Sequence, residues 1–137
     1  MIHIHKELTL DAAVENLSQV LAFLEENLEQ AECPMKAQMQ IGVAAEEIYV
    51  NIAHYAYDKA GGNVTVNVEV TPETAVITFI DSGAPYDPLK KPGPDVTLPM
   101  EKRAIGGLGV FMAKKLMDEL IYEYRNGQNI LTMKKNI

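Results

Sequence analysis

The chain has 137 residues, 47% of them hydrophobic and 23% charged, with a formal net charge of −7. That is enough for one ordinary domain spanning 1–137, too acidic for nucleic-acid binding in the absence of a Lys/Arg stripe, and without any apolar run near the roughly 20 residues of a membrane helix. The single cysteine, Cys33, cannot close an internal disulfide, and Met1-Ile2-His3-Ile4-His5-Lys6-Glu7 lacks the basic start and apolar stretch of a secretory signal, so a cytoplasmic location is expected.

From the N-terminus, Ile2 to Leu10 alternates apolar and polar side chains and reads as an edge strand, with His3 and His5 on its solvated face. Between Asp11 and Gln30, Val14, Leu17, Leu21, Leu24 and Leu28 recur at three- and four-residue intervals, which predicts an amphipathic helix capped by Asp11. Pro34 breaks the chain. A second helix is expected from about Met35 to Tyr57, closed by the turn signal Gly61-Gly62-Asn63. Val64–Val70 and Ala75–Ile80 are rich in β-branched residues and flank Thr71-Pro72-Glu73-Thr74, as in a hairpin. Five of the seven prolines fall between Ala84 and Ile105, an irregular stretch placed to act as a lid. Helical spacing returns from Val110 to Leu120, and Ile121–Arg125 and Gln128–Met133 make a closing hairpin around Asn126-Gly127. The order predicts an α+β two-layer sandwich: one mixed sheet with about three helices on one face.

Three short segments carry chemistry. Glu47 and Asn51 stand four positions apart and share one face of the second helix, with Glu46 turned about 100° away. Asp81-Ser82-Gly83 ends an apolar strand. Gly106-Gly107-Leu108-Gly109 opens a helix, where backbone N–H groups and the helix dipole attract an anion. Each alone has a plainer reading: a polar surface pair, a turn aspartate, a glycine-rich turn. The competing phosphate motifs fail, since no Gly-Lys-Ser/Thr is present and Met112 stands where a dinucleotide fingerprint starting at Gly107 needs a small residue.

The chain resembles the GHKL superfamily of ATPases and kinases, and within it the anti-sigma factor serine/threonine kinases. The resemblance rests on Glu47-Ile48-Tyr49-Val50-Asn51-Ile52-Ala53 with Tyr55-Ala56-Tyr57, then Asp81-Ser82-Gly83-Ala84-Pro85-Tyr86-Asp87-Pro88, then Gly106-Gly107-Leu108-Gly109-Val110 with Leu116-Met117-Asp118. It implies an ATP site in which Asn51 is a Mg²⁺ ligand, Glu47 the general base toward a serine hydroxyl, and Asp81 the acceptor for the adenine amino group. Gly83 would leave room beside the base, and Gly106, Gly107, Leu108 and Gly109 would cradle the phosphates. Lys90 or Lys91, Lys102 and Arg103 would reach the γ-phosphate from the lid, although Arg103 stands farther from the glycines than the arginine of some sporulation-type members. No phosphoacceptor histidine on a dimerising hairpin is present, which separates the chain from histidine kinases.

The implied activity is phosphorylation of a small anti-sigma antagonist, with a sigma factor as the alternate partner and a homodimer as the common assembly. The resemblance also admits a module that holds ATP and a partner but transfers no phosphate, and the residues alone leave open an interaction domain with no nucleotide.

Overall fold

The computed structural model describes residues 3–57, 61–90 and 107–137. Its elements run β1 (Ile4–Asp11), α1 (Leu17–Gln30), α2 (Met35–Tyr55), β2 (Asn63–Val70), β3 (Thr74–Asp81), α3 (Gly107–Leu116), β4 (Glu119–Arg125) and β5 (Gln128–Asn136). Short 3-10 turns occupy Val14–Asn16 and Pro88–Lys90.

The five strands form one sheet in the order β1-β2-β3-β5-β4. Every neighbouring pair is antiparallel, so the expected mixed sheet is corrected to an antiparallel one. The reason is topological. Two helices, an even number, return the chain after β1, so β2 enters reversed beside it. The single helix α3 carries β4 parallel to β3, but β5 slots between them and is antiparallel to both. At Asn126-Gly127 the φ values are 55° and 78°, the positive pair that a type I′ hairpin turn requires.

Alternation along β2 buries Val64, Val66, Val68 and Val70, and along β3 it buries Ala75, Ile77, Phe79 and Asp81. These pack with Val20, Leu24 and Leu28 of α1 and with Ile41, Ile48 and Tyr49 of α2, so one face of the sheet meets the helices. Asp11 belongs to β1 and does not cap α1. The helix starts after Asn16, whose side chain donates instead to the Asp11 carbonyl at 2.9 Å. Among the described residues no helix is long and apolar enough to cross a membrane.

Tyr49, fully buried, ties α2 to the connection that follows β1: its hydroxyl donates to the carbonyls of Ala13 at 2.7 Å and Asp11 at 3.2 Å. Tyr49→Phe should therefore cost about 1 kcal/mol in urea denaturation with an unchanged m-value, the cost of losing one buried hydroxyl's hydrogen bonds to two carbonyls that keep other donors.

Candidate nucleotide site

The carboxyl end of α2 supplies one wall of a cavity through Ile48, Asn51, Ile52 and Tyr55, residues that fall on one helical face. Asp81, at the last position of β3, faces it from the sheet, with Asn129 and Tyr122 from the closing hairpin and Tyr86 and Pro88 from the segment after β3. The fold thus brings together Asn51 and Asp81, which are 30 positions apart in the chain. The cavity volume is about 30 Å³, room for about one water molecule. Two of its lining residues, Tyr55 and Tyr86, stack with ring centroids 5.7 Å apart and planes 26° from parallel.

Asp81 is 5% exposed, and such a buried carboxylate needs hydrogen bonds. Its Oδ1 accepts from the Gly83 amide at 2.9 Å and from Asn129 Nδ2 at 2.9 Å. Both bonds fall on Oδ1, and Oδ2 accepts none among the described residues. Asp81 is therefore at once a turn residue and an acceptor with one oxygen to spare. Asn51 is 4% exposed, and its buried Nδ2 has no partner among the described residues. A buried amide left in that state is costly unless something else binds beside it.

Asn129 is the residue that sequence reasoning missed. Its Nδ2 also donates to the Ala84 carbonyl at 2.9 Å, while its Oδ1 accepts from the Tyr86 amide at 3.1 Å and from the Tyr122 hydroxyl in a short bond. Burial raises the Tyr122 pKa, which keeps the phenol protonated and able to donate. The signal was present in the strand alternation. Asn129, Leu131 and Met133 share the inward face of β5, and an amide on an otherwise apolar face requires partners. Tyr122 is marked by the same alternation, two positions beyond the half-buried Leu120.

Gly83 is explained differently from the expectation. A Cβ there would stand 1.9 Å from the carbonyl oxygen of Ala56, and Ala84 N donates to that same oxygen at 3.1 Å. The glycine lets the turn after β3 close against the end of α2, and the space is taken by backbone. Tyr57 makes a second tie nearby: its hydroxyl donates to the Asn63 carbonyl at 2.6 Å and accepts from the Ser82 amide at 2.7 Å.

Glu47 lies one turn before Asn51 on α2, half-buried and outside the residues that line the cavity. Burial, and secondarily the charge of Glu46, raises its pKa. Gly107, Leu108 and Gly109 form the first turn of α3, described by backbone alone, and α3 packs against α2. Gly106, Lys91, Lys102 and Arg103 lie outside the described residues, as does the side chain of Lys90.

Residues 10–135 match the model of the histidine kinase-like ATPase domain. The chain belongs to that family. Among similar proteins, serine-protein kinase RsbW from Bacillus cereus is 28% identical over 96 residues, and that of a second strain of the species is 30% identical. RsbW from Bacillus mycoides is 29% identical over the same length. The matched region is 67% of this chain and 60% of each relative, so the chain spans about three fifths of the RsbW length. In fold, the histidine kinase-like domain is similar to the RsbU and RsbW domains of a Mycobacterium tuberculosis protein, with a TM-score of 0.68 at 20% identity over 98% of this chain and 32% of the other. It is also similar to the SiaB–SiaC complex of Pseudomonas aeruginosa, with a TM-score of 0.56 at 15% identity, covering 95% of this chain and 89% of the other.

Removing the Asn129 amide strips Asp81 of one donor and the Ala84–Tyr86 backbone of its ties. Asn129→Ala should lower stability by about 2–3 kcal/mol. In hydrogen exchange it should speed the Tyr86 amide more than amides in the middle of β2.

Proposed function

We propose that this chain binds Mg²⁺·ATP in the cavity between α2 and the end of β3, and that it phosphorylates a serine or threonine of a small anti-sigma antagonist-like protein in the cytoplasm. A sigma factor would be the alternate partner and a homodimer the assembly. The observation that carries the reading is the state of the two buried polar side chains on the cavity. Among the described residues Asp81 has one oxygen held and one unused, and Asn51 Nδ2 is a buried donor without an acceptor, which a phosphate oxygen would supply, in a chain of the histidine kinase-like ATPase family. The name serine-protein kinase borne by the RsbW relatives supports the transfer step.

Each residue would contribute a distinct interaction. Asp81 Oδ2, fixed in direction by the hold of Asn129 and Gly83 on Oδ1, would accept from the exocyclic amino group of adenine and refuse the 6-oxo group of guanine, which offers no proton. Asn51 would offer its side-chain oxygen to Mg²⁺, a hard ligand for a hard cation. The ion would supply charge neutralisation at the phosphates. The first turn of α3, with Gly107, Leu108 and Gly109, would present backbone N–H groups to those phosphates, together with Gly106 and Arg103 of the preceding segment. Glu47 would take the proton of the attacking hydroxyl, and its raised pKa suits a base that must hold a proton briefly.

Titration calorimetry of Mg²⁺·ATP, with Mg²⁺·GTP as control, tests the site. Wild type should prefer ATP. Asp81→Asn should weaken ATP by about 10–100-fold without weakening GTP, as expected for one unpaired buried polar group, and Asn51→Ala should remove the Mg²⁺-dependent part of the affinity. Absence of any ATP heat or thermal shift in wild type overturns the reading.

Glu47→Gln separates chemistry from binding: nucleotide affinity should persist while phosphate transfer to an antagonist-like protein is lost. Persistent transfer would remove Glu47 as the base. The same variant has a stability signature. Because the folded protein holds the Glu47 proton more tightly than the unfolded chain does, the ionised side chain costs stability as pH rises through and above the ordinary Glu range near 4.3. Glu47→Gln should therefore raise Tm at about pH 7.5 and leave it unchanged at about pH 3.5, where both states are protonated.

A further inference from the structure

On the side of α2 away from the sheet, Met35, Met39 and Val43 follow one another at four-residue intervals and are 65%, 65% and 44% exposed. With Leu21 and Leu24 of α1 and with Gly42 they line an open groove between the two helices. This groove is separate from the nucleotide cavity, with which it shares no lining residue. We infer that the groove is the docking site for one amphipathic helix of a partner protein, apolar along the edge that enters it and basic along its flanks.

Gly42 is the most telling part of the groove. It lies in the interior of α2, where glycine costs roughly 0.5–1 kcal/mol relative to alanine. Among the described residues, packing gives no return for that cost. A Cβ at Gly42 would meet nothing within 4 Å, and the backbone there does not need a positive φ. Gly62 and Gly83 differ, because a Cβ at either would strike a neighbour at once. A missing side chain on the floor of an exposed apolar groove does have one use: it lets a second helix approach closely.

The methionines suit the same occupant, since their unbranched, polarizable side chains adapt to an incoming surface. From Met35 to Val43 the stripe spans about 12 Å, two turns and more of helix, so the matching segment is a short one. Helix is favoured over extended chain because no unpaired sheet edge borders the groove, whose walls are both helical.

Charge selects among occupants. Glu25 on α1 and Glu46 on α2 border the groove, and Glu26 and Glu29 are exposed on α1 nearby. A second copy of this chain docking groove to groove would set acidic rims against one another, in a protein of net charge −7. An anionic lipid surface would be repelled in the same way. Basic flanks on the entering helix satisfy the rim and point it along the groove.

The inference does not rest on the nucleotide reading, and its test contains no nucleotide. The probe is a fluorescent, helix-stabilised peptide of about four turns with leucines along one edge and lysines on both flanks. One control replaces the lysines by glutamates, and a second keeps the composition but scatters the leucines around the helix. Fluorescence anisotropy should show binding of the lysine-flanked peptide to the wild-type protein, with both controls at least tenfold weaker. Gly42→Leu, which fills the floor, and Met39→Lys, which adds repulsion, should each weaken that peptide by tenfold or more. Gly42→Leu should leave Tm unchanged or raised, because it replaces glycine by a good helix former in open space, and this shows that lost binding is not lost folding. The inference is overturned if the lysine-flanked peptide does not bind, if either control binds equally, or if Gly42→Leu binds as wild type does. It is overturned in favour of a second copy if sedimentation shows wild-type dimers that Gly42→Leu dissociates.

Discussion

Asp81 ends β3 with its carboxylate pointing into a cavity, and a carboxylate 5% exposed is tolerable only if donors reach it. Its register partner on β5 is Asn129, which supplies one of those donors. Because Asn129 binds Asp81, the Ala84 carbonyl, the Tyr86 amide and the Tyr122 hydroxyl together, the buried charge organises the closing hairpin and the segment after β3 around itself. The Gly83 amide and the close approach of Gly83 to Ala56 join the same node to the end of α2. One oxygen of the carboxylate is consumed in this way and the other is left over, so a structural requirement also creates an oriented acceptor.

Helix α2 serves two surfaces without mixing them. Ile48, Asn51, Ile52 and Tyr55 face the cavity, while Met35, Met39, Gly42 and Val43 face the groove beside α1. The two sets also occupy different halves of the helix. Glu46 and Glu47 sit where they meet, side by side in the chain and turned roughly 100° apart by helical geometry. The Glu46 charge adds, after burial, to the raised pKa of Glu47. Rigidity of α2 is secured from within by Tyr49, which anchors it to the connection after β1.

Where the sequence was legible, the reason is periodicity. The three- and four-residue spacing of α1, the β-branched runs of β2 and β3, and the Asn126-Gly127 turn are local signals, and local sterics and burial decide them. The two-layer α+β architecture followed from their order. Three readings gave way to the structure, and the first is the helix expected from Val110 to Leu120, which runs Gly107–Leu116 while Glu119 and Leu120 join β4. Asp11 could not cap α1 because it pairs with Asn63 in the sheet, and the mixed sheet became antiparallel because β5 inserts between β3 and β4. Of the site, Asn51 and Asp81 were readable as motif residues and do face one cavity. Asn129 was passed over although it lay within the strand expected from Gln128 to Met133, because only the sheet register brings it to Asp81, Ala84, Tyr86 and Tyr122.

By itself the sequence determined the set of elements and their order, and it marked Asn51 and Asp81 as candidate site residues, since these depend on neighbours within a turn or a strand. Only the tertiary structure decided which polar groups share a cavity, that a side chain at Gly83 would strike the Ala56 backbone, and that Gly42 lies on the groove between α1 and α2. Those outcomes depend on strand order and on the distance between elements remote in the chain, and no local pattern encodes either.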